Sequence, residues 1–103
     1  MGQGTTMKKI TLEDAVQVNE DAVFRELDGE AVILNLETGI YFGLNETGTR
    51  IWNLIVEHGS LQSVLDVMAE EYDAPRTSLE NDVLQLAAKL CEKGLVSASS
   101  IAD

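Results

Sequence analysis

The sequence predicts an α+β fold: an N-terminal three-stranded antiparallel sheet followed by three helices, the helices joined as in a helix-turn-helix. Three observations carry this. Up to about Asn45, apolar residues alternate or fall in short β-rich runs, and beyond it they recur at helical spacing. Two tight turns separate three adjacent β-type runs, which makes a meander the simplest pairing. Gly59 and Pro75 then divide the helical half into short pieces.

The first strand is Val23-Phe24-Arg25-Glu26-Leu27, ended by the hairpin signal Asp28-Gly29. Ala31-Val32-Ile33-Leu34-Asn35-Leu36 is the second, and Glu37-Thr38-Gly39 turns the chain again. Ile40-Tyr41-Phe42-Gly43-Leu44 is the third. Val16 and Val18 fit an extended segment ahead of the sheet.

Asn45 reads as an N-cap with Glu46 in the first helical turn. Ile51, Trp52, Leu54 and Ile55 form the apolar stripe of that helix, and Gly59 ends it. Ser60 caps a second helix, where Leu61, Val64, Leu65 and Met68 follow i, i+3, i+4, i+7. Asp73-Ala74-Pro75 interrupts, and Thr77-Ser78-Leu79-Glu80 reads as a capping box with Thr77 as cap. The third helix runs to about Lys93 with Leu79, Val83, Leu86 and Leu90 on one stripe, stopped by Gly94. Leu95 and Val96 fit a short final strand or wing. The expected organisation is a flexible segment over 1–14, one domain over 15–97 and a flexible tail over 98–103.

Composition narrows the function. In 103 residues, 18 acidic side chains against 7 basic ones give a formal charge of −11. An acidic chain repels phosphate backbones, so neither nucleic acid nor an anionic membrane is an expected partner. An apolar fraction of 45% with a single Pro supports a folded domain. No apolar run approaches the ~18 residues of a membrane span, and Met1 to Thr11 lacks the apolar stretch of a signal peptide. Cys91 is the only cysteine and forms no internal disulfide, so a reducing, cytoplasmic setting is expected. One Cys and one His, Cys91 and His58, do not make a metal cluster, and no cofactor is expected. Gly39, Gly43 and Gly48 have neither P-loop nor dinucleotide spacing, and no nucleophile has a base beside it. No enzyme activity is expected.

The informative feature is an asymmetry between the two edges of the meander. The first strand carries Arg25 and Glu26, charges that protect against edge-to-edge pairing. The third strand, Gly39 to Asn45, carries no charge and no proline. Such an edge is either covered, by the protein itself or a second copy, or used to capture an extended peptide as an added strand.

The residues from Val32 to Trp52 resemble the signature of the PqqD-like family: an apolar strand, a Leu-Glu-Thr-Gly turn, an aromatic strand, then Leu44-Asn45-Glu46-Thr47-Gly48-Thr49-Arg50-Ile51-Trp52. Asp82-Val83, Leu86, Leu90 and Lys93-Gly94-Leu95-Val96 resemble that family's closing helix. The resemblance spans about residues 16–97 and implies a winged helix-turn-helix-like peptide-recognition domain. Such domains bind the leader segment of a ribosomally made precursor peptide and present it to a modifying enzyme. In pyrroloquinoline quinone biosynthesis that enzyme is a radical-SAM protein; related domains serve lasso-peptide and other pathways. The resemblance implies that the leader adds to Ile40, Tyr41, Phe42, Gly43 and Leu44. The helix wall would come from Asp82, Val83, Gln85, Leu86, Lys89 and Leu90, with Val83, Leu86 and Leu90 shared between core and groove floor. A monomer is expected, with a dimer as the alternative state.

Two other functions compete. A helix-turn-helix transcription regulator would have to present Glu80 and Asp82 to phosphates with few bases to balance them. A structural oligomerisation module would have to occupy the third strand with a second copy. The acidity also has a location: residues 13–37 carry eight acids against Arg25 alone, and Gly39 to Asn45 carries no charge. A leader or enzyme partner with basic residues is the expected complement.

Overall fold

The computed structural model describes residues 10–100. Its elements, in order, are β1 (Asp14–Val18), β2 (Ala22–Leu27), β3 (Glu30–Asn35), β4 (Tyr41–Leu44), α1 (Glu46–His58), α2 (Leu61–Glu71), α3 (Arg76–Glu92) and β5 (Val96–Ser100). β2, β3 and β4 form an antiparallel sheet in that order, ahead of the three helices, as the sequence predicts. The two terminal segments that read as extended pair with each other. β1 and β5 make a second, antiparallel sheet, with Asp14 opposite Ser100 and Val18 opposite Val96. The domain bounds read from sequence therefore sit one residue inside β1 and three residues short of the end of β5. The rest of the two expected flexible tails, residues 1–9 and 101–103, lies outside the described residues.

The β2–β3 turn matches its residues. Asp28 and Gly29 both take positive φ, 55° and 82°, which suits a primed two-residue hairpin. Strand alternation then sorts the sheet. Ala31, Ile33 and Asn35 of β3 are buried toward the helices, as is Leu44 of β4. Val23, Arg25 and Leu27 of β2, Val32 of β3 and Tyr41 of β4 are exposed on the outer face.

Ile33, Ile51, Leu54, Ile55, Leu61, Leu65, Met68, Leu90 and Leu95 fill the core between the sheet and the three helices. Trp52 is a core residue, stacked on Phe24 of β2 at 5.9 Å between ring centroids. The Asn45 side chain accepts from the Gly48 N–H at 2.8 Å, so α1 starts where its cap predicts. Ser60 caps α2 in the same way. β1 is braced on the α1–α2 joint, where the Val16 N–H donates to the Gly59 carbonyl at 2.7 Å.

The third helix departs from expectation at its start. Its N-cap is Pro75, without a side-chain cap bond, and Thr77 lies inside the first turn. The Pro75 carbonyl accepts from the Ser78 and Leu79 N–H groups, so helical bonding begins ahead of the expected capping box. Proline provides φ −58° there without needing a donor. The helix closes on Gly94 at φ 72°, with the Leu95 N–H reaching back to the Leu90 carbonyl at 2.9 Å. Its buried stripe is Leu79, Val83, Ala87 and Leu90; Leu86 is only partly buried, beside that stripe.

Candidate functional site

Among the described residues, β4 is the edge of its sheet and pairs with β3 alone. The Asn35 N–H donates to the Ile40 carbonyl at 2.8 Å, which sets the phase of the ladder. In antiparallel pairing, hydrogen-bonding direction alternates along the strand. With Phe42 opposite Ile33 and Leu44 opposite Ala31, the backbones of Phe42 and Leu44 point into the sheet. Those of Tyr41 and Gly43 then point to the open edge.

That edge borders a groove of about 380 Å³ with three walls. β4 contributes Phe42, Gly43 and Leu44. The start of α1 contributes Thr47, Gly48 and Ile51, with the cap Asn45 beside them. α3 contributes Asp82, Gln85, Leu86 and Lys89, which follow i, i+3, i+4, i+7 and so share one helix face. Phe42, Leu44, Ile51 and Leu86 make the floor apolar, whereas the α3 rim is polar. Asp82 and Lys89 put opposite charges two helical turns apart, about 10 Å along the axis. Among the described residues Lys89 forms no ion pair; the arginines Arg50 and Arg76 are tied to Glu71 and Asp66 elsewhere.

Gly48 allows α1 to start so close to β4. A Cβ there would meet both the Asn45 Oδ1 and the Leu44 Cδ2 at 3.3 Å. Outside the groove, Asn35 of β3 is buried, 2% exposed. Its amide nitrogen donates to the Gly94 carbonyl at 3.2 Å, and its Oδ1 accepts from the Glu37 N–H at 2.9 Å. One side chain thus fixes the β3–β4 turn to the end of α3.

Of the site residues read from sequence, Phe42, Gly43, Leu44, Asp82, Gln85, Leu86 and Lys89 come together in this groove. Val83 and Leu90 are fully buried in the core and do not reach it, since they lie on the neighbouring α3 stripe. Tyr41 is 72% exposed on the outer face, and Ile40 precedes the strand, its N–H held by Thr38 Oγ1. Asn45 is legible in the sequence as a cap, Ile51 as part of a helix stripe, and Thr47 and Gly48 only within the Leu44–Trp52 motif. The signal was their position: a helix that starts one residue after an edge strand must border it. Asn35 had no signal beyond being polar at an inward position of an apolar strand.

The ionisable side chains that line the groove are Asp82 and Lys89. Cys91 lies away from the groove, and burial, with the nearby Asp14 carboxylate, pushes its thiol up and keeps it protonated. No group of three His, Cys, Asp or Glu side chains among the described residues is placed to hold a metal ion. No helix among them is long and apolar enough to cross a membrane.

The family model of coenzyme PQQ synthesis protein D (PqqD) matches residues 30–96. Two solved structures share the fold. TbiB1 in complex with the TbiA(beta) leader peptide is 33% identical, with a TM-score of 0.74 over 79% of this chain and 94% of that one. A lasso peptide synthetase B1 complexed with the leader peptide is 25% identical, with a TM-score of 0.72 over 81% of this chain and 98% of that one. No curated protein matches the chain. The match covers β3 through the start of β5, which includes every wall of the groove, and the chain belongs to the PqqD family.

Proposed function

We propose that this chain is a non-catalytic peptide-recognition protein. It binds the leader segment of a ribosomally made precursor as an added strand on β4. It then presents that peptide to a modifying enzyme, such as a radical-SAM protein, in pyrroloquinoline quinone or a related biosynthesis. The observation that carries this reading is the uncharged edge of β4, unpaired among the described residues, beside a groove with an apolar floor. Backbone groups of Tyr41 and Gly43 supply hydrogen bonds, and Phe42, Leu44, Ile51 and Leu86 take alternate side chains. Both solved relatives are complexes with leader peptides, which supports the same role here. The domain works as a monomer, because two copies at −11 repel and the groove is complete within one chain, and its single cysteine, Cys91, fits a reducing, cytoplasmic setting.

A fluorescently labelled leader peptide from the precursor encoded beside this chain tests the reading. Anisotropy rises to saturation with the wild type and is lost with Phe42→Asp or Leu86→Asp, each variant checked for native circular dichroism. Peptide mass stays unchanged on incubation with this chain alone. A leader that fails to saturate, or a modified peptide, contradicts the proposal.

A further inference from the structure

The groove is only one side of the open edge. An added strand alternates its side chains between two faces, and residues across from each other share a face. The peptide residue paired with Gly43 therefore projects onto the outer face of the sheet, and its two neighbours enter the groove. On that outer face Gly43 has no side chain to meet it. Val32, directly across β3 from Gly43, is 47% exposed there, and Tyr41, two residues along, is 72% exposed. Gly43 and Val32, together with Arg25, Leu27 and Glu30 on the neighbouring strands, border an open depression of about 620 Å³. We infer that Gly43 and Val32 form a second specificity subsite, on the face opposite the groove, which takes one large apolar side chain of the bound strand. This rests on the strand-addition reading above and sharpens its substrate class: the peptide carries adjacent apolar residues, one for each face, rather than a simple alternation.

Gly43 makes the inference testable without harming the fold. A Cβ at Gly43 meets no heavy atom within 4 Å, and its φ is outside the left-handed range. Gly43→Val therefore keeps the domain folded, with a thermal midpoint equal to or above wild type, because a β-branched residue suits a strand better than glycine. It fills the depression, so affinity for the labelled leader falls by roughly tenfold or more. Val32→Thr, which keeps the shape and removes the apolar floor, weakens binding in the same direction. An alanine scan of the leader finds one outward residue whose loss costs affinity in the wild type and costs nothing further in Gly43→Val. If the wild type binds and Gly43→Val binds equally well while folded, the subsite is wrong and strand addition survives. If the wild type does not bind the leader, strand addition fails and the subsite with it.

Discussion

The Asn35 amide donates to the Gly94 carbonyl at 3.2 Å, and this bond ties the end of β3, just ahead of β4, to the end of α3. Asn35 ends β3, just before the turn into β4, and Gly94 ends α3. Asn19 reinforces the same carbonyl at 2.9 Å, so the end of α3 is held from two strand ends.

Asn35→Ala leaves the Glu37 and Thr38 N–H groups without their acceptor and removes a donor from Gly94. Stability falls by about 2–3 kcal/mol, measured by urea unfolding. Leader affinity falls further than unfolding accounts for, because β4 loses its registration with α3. A variant with wild-type stability would remove Asn35 from this role.

Thr49 presents the opposite case. Its hydroxyl is buried in α1 and has no hydrogen-bond partner among the described residues. Thr49→Val exchanges an unsatisfied group for a methyl of similar size and raises stability by about 1 kcal/mol. Loss of stability on this change would mean that the hydroxyl has a partner.

Arg50 of α1 holds Glu71 at the end of α2 through two bonds, one of them Nε to Oε1 at 2.8 Å. The hydrogen bond from Arg50 holds the Glu71 carboxyl below the usual carboxylate range. A depressed folded value stabilises the protein at neutral pH, and that contribution disappears as pH falls through the depressed value. Glu71→Gln is therefore slightly less stable than wild type at pH 7, and the difference closes on acidification. The pair is exposed, so the effect is small and shrinks with salt. A gap that is independent of pH would contradict it.

Much of the fold was legible because local and tertiary preferences agree. Asp28-Gly29 demands a hairpin, Asn45 and Ser60 cap the helices they precede, and the apolar stripes of α1 and α2 face the core. The start of α3 was not, because Pro75 and Thr77 offer competing origins and only the packed chain selects the earlier one. The β1–β5 sheet was hidden for a different reason: each strand is short, and the partner that completes it is at the other end of the chain. Within the site, the strand wall was legible in an uncharged edge. The division of α3 between core and groove was not, because Leu86 and Leu90 are equally apolar. Their burial differs only through a rotation about the helix axis, which sequence periodicity does not resolve.

Amide hydrogen exchange along β4, with and without leader peptide, tests strand addition most directly. The Phe42 and Leu44 N–H groups point into the sheet, and those of Tyr41 and Gly43 point to the open edge. Saturating leader slows exchange at Tyr41 and Gly43 by roughly tenfold or more and changes Phe42 and Leu44 much less. Bound peptide with unchanged exchange at Tyr41 and Gly43 would contradict strand addition.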